Sequence, residues 1–169
     1  MCRFFWKLKC EFECLIDHAP AAAFTAFLCA MGGILLWVSG GSWSYTFFSM
    51  DEFGLSLTAS FVLWLIAYAL YGLRLGMLWF CGRCLTRRTA AACAAVLLAY
   101  LFDLVWYSLF FCTRLAVFGL IIILLSLALN IFALTAGKKG RVLGKICDLA
   151  VIVIQILFIS RTVMYILLK

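Results

Sequence analysis

The sequence predicts an all-α integral membrane protein, a bundle of five transmembrane helices. Of its 169 residues, 68% are hydrophobic and only 12% are charged, and the mean hydropathy is +1.19. A soluble domain carries about 25% charged residues. A chain of this length cannot bury so much apolar surface away from water, so most of its surroundings must be lipid.

Five apolar runs are long enough to cross a bilayer, which takes about 20 residues per helix. They cover residues 20–38, 57–80, 89–112, 115–136 and 146–168. The third and fourth runs are joined so closely that they must form an antiparallel hairpin. Residues 20–169 thus form the transmembrane domain. Residues 1–19 precede it, and their mixture of aromatic and charged residues predicts a short amphipathic helix in the membrane interface.

The basic residues predict the orientation of the chain. Ten of them fall in the N-terminal segment, in the loop after the second run and in the loop after the fourth. The opposite side has two, Arg114 and Lys169, and its first loop carries Asp51 and Glu52. Since Lys and Arg accumulate in cytoplasmic loops, the N-terminus is expected inside, and the first loop and the C-terminus outside.

Asp103 is the most informative polar residue, because it lies within the apolar run YLFDLVWYSLFF. A carboxylate at the centre of a membrane helix costs about 2.5–3.5 kcal/mol on insertion scales unless it is compensated. Asp103 and Arg161 lie 14 and 15 residues from the starts of two parallel runs, so they are predicted to pair at one depth. Arg74, closer to the inner face, is expected to snorkel toward the headgroups.

Two interpretations of this pair stay open. It is either a structural ion pair that fixes helix register, or the polar floor of an aromatic-lined cavity. The aromatic lining is predicted from helical spacing, because residues at i, i+3, i+4 and i+7 share one face. Asp103, Trp106, Tyr107 and Phe110 form such a face on the third run.

Two helices of the sequence resemble the tryptophan-rich sensory protein family, which includes the mitochondrial translocator protein. The second run reads WLIAYALYG, with Trp64, Tyr68 and Gly72 at the family's Trp, Tyr and Gly positions. In LFDLVWYSLFF, Phe102 and Trp106 match the third-span pattern, while Asp103 replaces an Asn and Ser108 a Pro. The family's proline-rich first loop has no counterpart, since the chain has a single proline.

The resemblance implies a membrane receptor, sensor or transport protein that binds a tetrapyrrole (porphyrin) or a sterol in a pocket within the bundle. It also implies a homodimer and contact with membrane lipids. No cofactor is required, although a tetrapyrrole would be a ligand. The ligand-binding residues predicted from the helix faces and from the resemblance together are Trp64, Tyr68, Asp103, Trp106, Tyr107, Phe110, Gln155, Phe158, Arg161 and Thr162.

Other functional classes receive less support. A small secondary transporter that uses an Asp103–Arg161 pair, and a structural subunit of a membrane complex, are the alternatives. No nucleophile and base, phosphate loop or paired carboxylates are recognisable, so neither an enzyme nor catalytic residues are expected. The basic residues form short clusters between apolar runs, so no nucleic-acid partner is expected. Cys10, Cys14, Cys81 and Cys84 admit a zinc site or lipidation by their spacing, but no metal site is predicted.

Overall fold

The described part of the chain folds into five α-helices, as the sequence predicts. The computed structural model describes residues 5–6, 9–10, 13, 19–39, 57–80, 86–111, 116–136 and 142–167. The helices are α1 (Ala19–Ser39), α2 (Leu57–Phe80), α3 (Arg87–Phe111), α4 (Ala116–Ala136) and α5 (Val142–Leu167). The described residues contain no strand.

Four of the helices are long and apolar enough to cross a membrane: α2, α3, α4 and α5. Helix α1 contributes a shorter apolar stretch, Ala23–Leu35. Large apolar side chains cover the outside of the bundle, such as Phe118, Ile121 and Leu125 on α4 and Leu149 and Val153 on α5. Exposure of so continuous an apolar surface to water would be strongly unfavourable. The chain is therefore a membrane protein whose outer side chains face lipid.

Helices α2, α3, α4 and α5 form a closed ring in which each packs against two neighbours. Helix α1 lies outside the ring, mainly against α2 and slightly against α3. In several contacting pairs, residues near the start of one helix meet residues near the end of the other, so the two helices are antiparallel. These pairs are α1 with α2, α2 with α3, α2 with α5, and α3 with α4. For example, α2 meets α5 through Trp64 and Phe158 at one level and through Arg74 and Asp148 at another.

Glycines permit the close packing of α1 against the ring. A Cβ atom on Gly72 of α2 would overlap the backbone of Thr25 and Ala26 in α1. A Cβ on Gly33 of α1 would overlap the ring of Tyr68, which lies flat against that position. Gly72 therefore allows a close helix–helix approach, because only glycine leaves room for a neighbouring backbone.

The helix boundaries differ from the predicted spans chiefly at α5, which begins at Val142 instead of residue 146. The extra turn includes Gly144, against which the guanidinium of Arg74 packs. Helix α3 begins just after Thr86, whose hydroxyl accepts the backbone N–H of Thr89 at 3.3 Å. This is the arrangement of a helix N-cap.

The predicted interfacial helix at residues 1–19 falls mostly outside the described residues. Those that are described there, such as Phe5, Trp6 and Lys9, have exposed side chains. Lys9 Nζ lies 3.8 Å from Oε1 of Glu13, which is four residues further along the chain. The first loop, which would face the outside in the predicted orientation, also lies outside the described part of the chain.

Substitution of Gly72 by alanine should destabilise the bundle more than substitution of Gly119. At Gly72 the new methyl would meet the backbone of α1, which can yield only by moving the helix. At Gly119 it would meet the Trp106 ring at 3.1 Å, and a side chain can shift. We expect Gly72→Ala to lower the free energy of unfolding by about 1–3 kcal/mol more than Gly119→Ala. The two Gly→Ala variants gain the same helix propensity, so a difference in stability reports the local packing. Equal free energies of unfolding in detergent would contradict the close approach at Gly72.

Candidate functional site

Five polar side chains meet at the centre of the helix ring, and each is at most 1% exposed. This polar network consists of Tyr71 from α2, Asp103 from α3, Ser126 and Asn130 from α4, and Gln155 from α5. Ser126 and Asn130 are one helical turn apart and so share a face. Every helix of the ring therefore contributes a polar group to one point of the interior.

Asp103 accepts hydrogen bonds from two of these neighbours. The Tyr71 hydroxyl donates to its Oδ2 at 2.6 Å. The Gln155 amide nitrogen lies 3.2 Å from Oδ1 and 3.1 Å from Oδ2. Buried polar groups are costly unless they are paired, and these contacts satisfy the carboxyl group within the bundle.

The remaining bonds tie the network to α4. Asn130 Nδ2 donates to the Tyr71 hydroxyl oxygen at 2.6 Å and to Gln155 Oε1 at 3.0 Å. Ser126 donates its hydroxyl hydrogen to the backbone carbonyl of Ala99 on α3 at 3.1 Å. The oxygen of Ser126 in turn lies 2.6 Å from the Gln155 amide nitrogen.

The predicted ion pair between Asp103 and Arg161 is wrong. Among the described residues the partners of the Asp103 carboxyl group are Tyr71 and Gln155. The depth estimate fails because the starts of the two apolar runs do not lie at one level: Asp103 meets Gln155, which is nine residues from the start of its run. Gln155 therefore stands at the level of Asp103, and Arg161 lies six residues further along, about 9 Å higher at 1.5 Å per residue.

An aromatic cluster lies one helical turn from the polar network. It comprises Trp64 and Tyr68 from α2, Trp106 from α3 and Phe158 from α5, and each is at most 5% exposed. Trp64 stacks on Phe158 with ring centroids 4.7 Å apart and tilts against Trp106 at 5.1 Å. These separations are typical of directly contacting aromatic rings.

Two polar atoms of the aromatic cluster have no hydrogen-bond partner among the described residues. They are the indole nitrogen of Trp64 and the hydroxyl of Tyr68, and both are buried. A buried donor without a partner costs about 1–3 kcal/mol. The two lie on the same face of α2, with ring centroids 5.7 Å apart.

A buried ion pair lies on the other side of the polar network. Arg74 Nε donates to both carboxylate oxygens of Asp148, to Oδ1 at 2.9 Å and to Oδ2 at 3.0 Å. Both side chains are 3% exposed. The expectation that Arg74 snorkels to the headgroups is therefore wrong, because the carboxylate of Asp148 offers the guanidinium a partner inside the bundle.

Most of the predicted ligand-binding residues lie in the bundle interior. Trp64, Tyr68, Trp106 and Phe158 meet in the aromatic cluster, while Asp103 and Gln155 belong to the polar network. Arg161 and Thr162 are buried one turn beyond Phe158 on α5, and the Thr162 hydroxyl donates to the backbone carbonyl of Phe158. The side chains of Tyr107 and Phe110 lie outside the described residues.

Three members of the polar network are missing from the predicted site. Tyr71 lies on α2, one turn from Tyr68. Ser126 and Asn130 are polar residues in an otherwise apolar run, spaced by four. That spacing predicts a shared face, but it does not reveal that this face meets Asp103. The zinc alternative rests on Cys14, Cys81 and Cys84, which lie outside the described residues.

Comparison with protein-family models, with curated proteins and with solved structures finds no match to this chain.

Replacing only one partner of the Arg74–Asp148 ion pair should lower the free energy of unfolding strongly, and replacing both should cost less than the two single losses added together. We expect Arg74→Met and Asp148→Leu each to lower the free energy of unfolding by about 3–5 kcal/mol, because each leaves an uncompensated buried charge. The double variant should be more stable than the sum of the two losses predicts. A double-mutant cycle measured by unfolding in detergent tests this, and additive losses would contradict a direct interaction.

Proposed function

We propose that this membrane protein binds a hydrophobic ligand, of tetrapyrrole or sterol type, between the aromatic side chains inside its bundle. The observation that carries the proposal is the pair of buried polar atoms on Trp64 and Tyr68 that have no hydrogen-bond partner among the described residues. A site made of apolar and aromatic walls with a few polar anchors is typical of small-molecule pockets. Here the rings provide the walls, and the indole N–H and the phenol provide the anchors.

The chemistry of the aromatic cluster favours a planar ligand with acceptor groups. Flat rings from three helices stack with a flat molecule, and both anchors donate hydrogen bonds that a carboxylate, carbonyl or hydroxyl oxygen accepts. A porphyrin carries carboxylates on a wide planar ring, and a sterol carries one hydroxyl on a rigid apolar skeleton. The porphyrin uses both anchors and is the better match.

We also propose that the chain is a divergent member of the tryptophan-rich sensory protein family. The residues that carry the resemblance, Trp64, Tyr68 and Trp106, all lie in the aromatic cluster. In this proposal the ligand enters between α2, α3 and α5, and binding serves sensing or transport. The orientation that the basic residues predict places the N-terminus in the cytoplasm and the first loop outside.

The close packing of the same rings favours a second candidate function, a structural subunit of a membrane complex. Ring centroids 4.7–5.8 Å apart leave the cluster in direct contact, so a ligand has to part the rings in order to enter. A structural protein has no need of this opening. Ligand titration separates the two functions.

Titration with protoporphyrin, followed by the shift of its absorbance and by quenching of tryptophan fluorescence, should show saturable binding in the micromolar range. Tyr68→Phe should weaken binding roughly tenfold, the value of one hydrogen bond to a charged group. Trp106→Ala should weaken it further, because it removes a wall of the site. Tyr68→Phe should not lower stability, because its hydroxyl has no hydrogen-bond partner among the described residues.

The matched control is Tyr100→Phe. This variant also removes a tyrosine hydroxyl. The Tyr100 hydroxyl donates to the backbone carbonyl of Cys29 and lies outside the proposed site. Its affinity for protoporphyrin should equal that of the unmodified protein. Weak, non-saturable quenching that is the same in all variants would argue against ligand binding and favour the structural subunit.

A further inference from the structure

The negative charge of Asp103 has no positive partner among the described side chains. Arg74 bonds to Asp148, one layer away, and the hydrogen bonds of Asp103 come from the neutral groups of Tyr71 and Gln155. These contacts point donors at the carboxylate and so favour its ionised form, whereas its complete burial opposes ionisation. A single uncompensated charge at the centre of a membrane bundle is expensive, so this geometry calls for a counter-ion.

The amide nitrogen of Gln155 stands where oxygen atoms converge. Four of them surround it: Ser126 Oγ at 2.6 Å, the Tyr71 hydroxyl at 3.0 Å, and the Asp103 carboxylate oxygens at 3.1 Å and 3.2 Å. An amide group has only two hydrogens to donate. The oxygens at this point therefore outnumber the hydrogens that the amide supplies, and two of them belong to a carboxylate.

We propose that the polar network binds a monovalent alkali cation at the centre of the helix ring. Carboxylate, hydroxyl and amide oxygens are the ligands that hard cations prefer. A half-turn of the Gln155 amide replaces its nitrogen with Oε1 and presents another oxygen to the ion. The Asn130 amide, which now donates to Gln155 Oε1, has to turn with it so that its Oδ1 accepts from Gln155 Nε2. Asp103 is the only carboxylate among these ligands, so a monovalent ion makes the site neutral. A divalent ion would leave a net positive charge in the apolar interior.

Binding of the cation is expected to stabilise the bundle, because the ligands come from all four helices of the ring and are assembled only in the folded protein. Purified protein should be unfolded thermally in NaCl, KCl and choline chloride at equal ionic strength. We expect Tm to rise saturably in NaCl or KCl, by roughly 5 °C at saturation, relative to choline chloride. Binding of radioactive sodium gives an independent measure of the same equilibrium.

Two variants remove ligands from the proposed site. Asp103→Asn keeps the shape of the side chain but removes its charge, so the rise in Tm and the sodium binding should both be lost. Tyr71→Phe removes one oxygen and should raise the cation concentration at half-saturation at least tenfold. The matched control is again Tyr100→Phe, whose hydroxyl bonds to α1 outside the network and whose response should equal that of the unmodified protein.

Several results would overturn the proposal. One is an equal Tm in all three salts, and another is a sodium response that persists in Asp103→Asn. If stability depends on pH but not on the cation, and only while Asp103 is present, then the ion at this site is a proton. If Asp103→Asn fails to fold, sodium binding by the unmodified protein and by Tyr71→Phe decides the question. The experiment does not involve porphyrin, so it is independent of the proposed ligand function.

Discussion

The hydrogen bonds around Gln155 are the interaction on which the arrangement of the helix ring depends. Its amide reaches Tyr71 on α2, Asp103 on α3, and Ser126 and Asn130 on α4. In lipid, apolar contacts do not distinguish one helix register from another, because the surrounding tails are equally apolar. A one-residue shift of α5 would leave buried polar groups on all four helices without partners. The network therefore specifies the register that the apolar surface cannot.

The interior is organised in layers along the bundle axis, and each has its own physical basis. The buried ion pair of Arg74 and Asp148 lies in one layer, the neutral donors around Asp103 in the next, and the aromatic cluster in the third. Arg74 is neutralised by Asp148, so it is not the counter-ion of Asp103. The two carboxylates thus have different roles: Asp148 compensates an arginine, whereas the described partners of Asp103 are the neutral donors Tyr71 and Gln155. This difference separates the structural ion pair from the proposed cation site.

The sequence predicts the five helices well, because apolar runs of about 20 residues leave few alternatives in a bilayer. It also predicts that Trp64, Tyr68, Trp106 and Phe158 face the interior, since their helical spacing places them on common faces. The pairing of charges is not predictable in the same way. Depth was counted from the ends of the apolar runs, and α5 begins four residues before its run. The hydrogen bonds place Gln155 at the level of Asp103, and Arg161 lies six residues further along α5, about 9 Å away along the axis. Ser126 and Asn130 show the same limit, because spacing on one helix does not identify the residue that meets it on another.

The two proposed sites share helix α2, which connects them physically. Tyr68 offers its hydroxyl to the aromatic cluster, and Tyr71, one turn along the same helix, offers its hydroxyl to the polar network. Both rings also contact Tyr100 of α3, at centroid distances of 5.6 Å and 6.0 Å. A ligand that parts the aromatic rings has to move α2 relative to α3 and α5, and these are the helices that hold Tyr71, Asp103 and Gln155. Ligand and cation would then affect each other's binding by the same factor, because coupling between two binding equilibria is reciprocal.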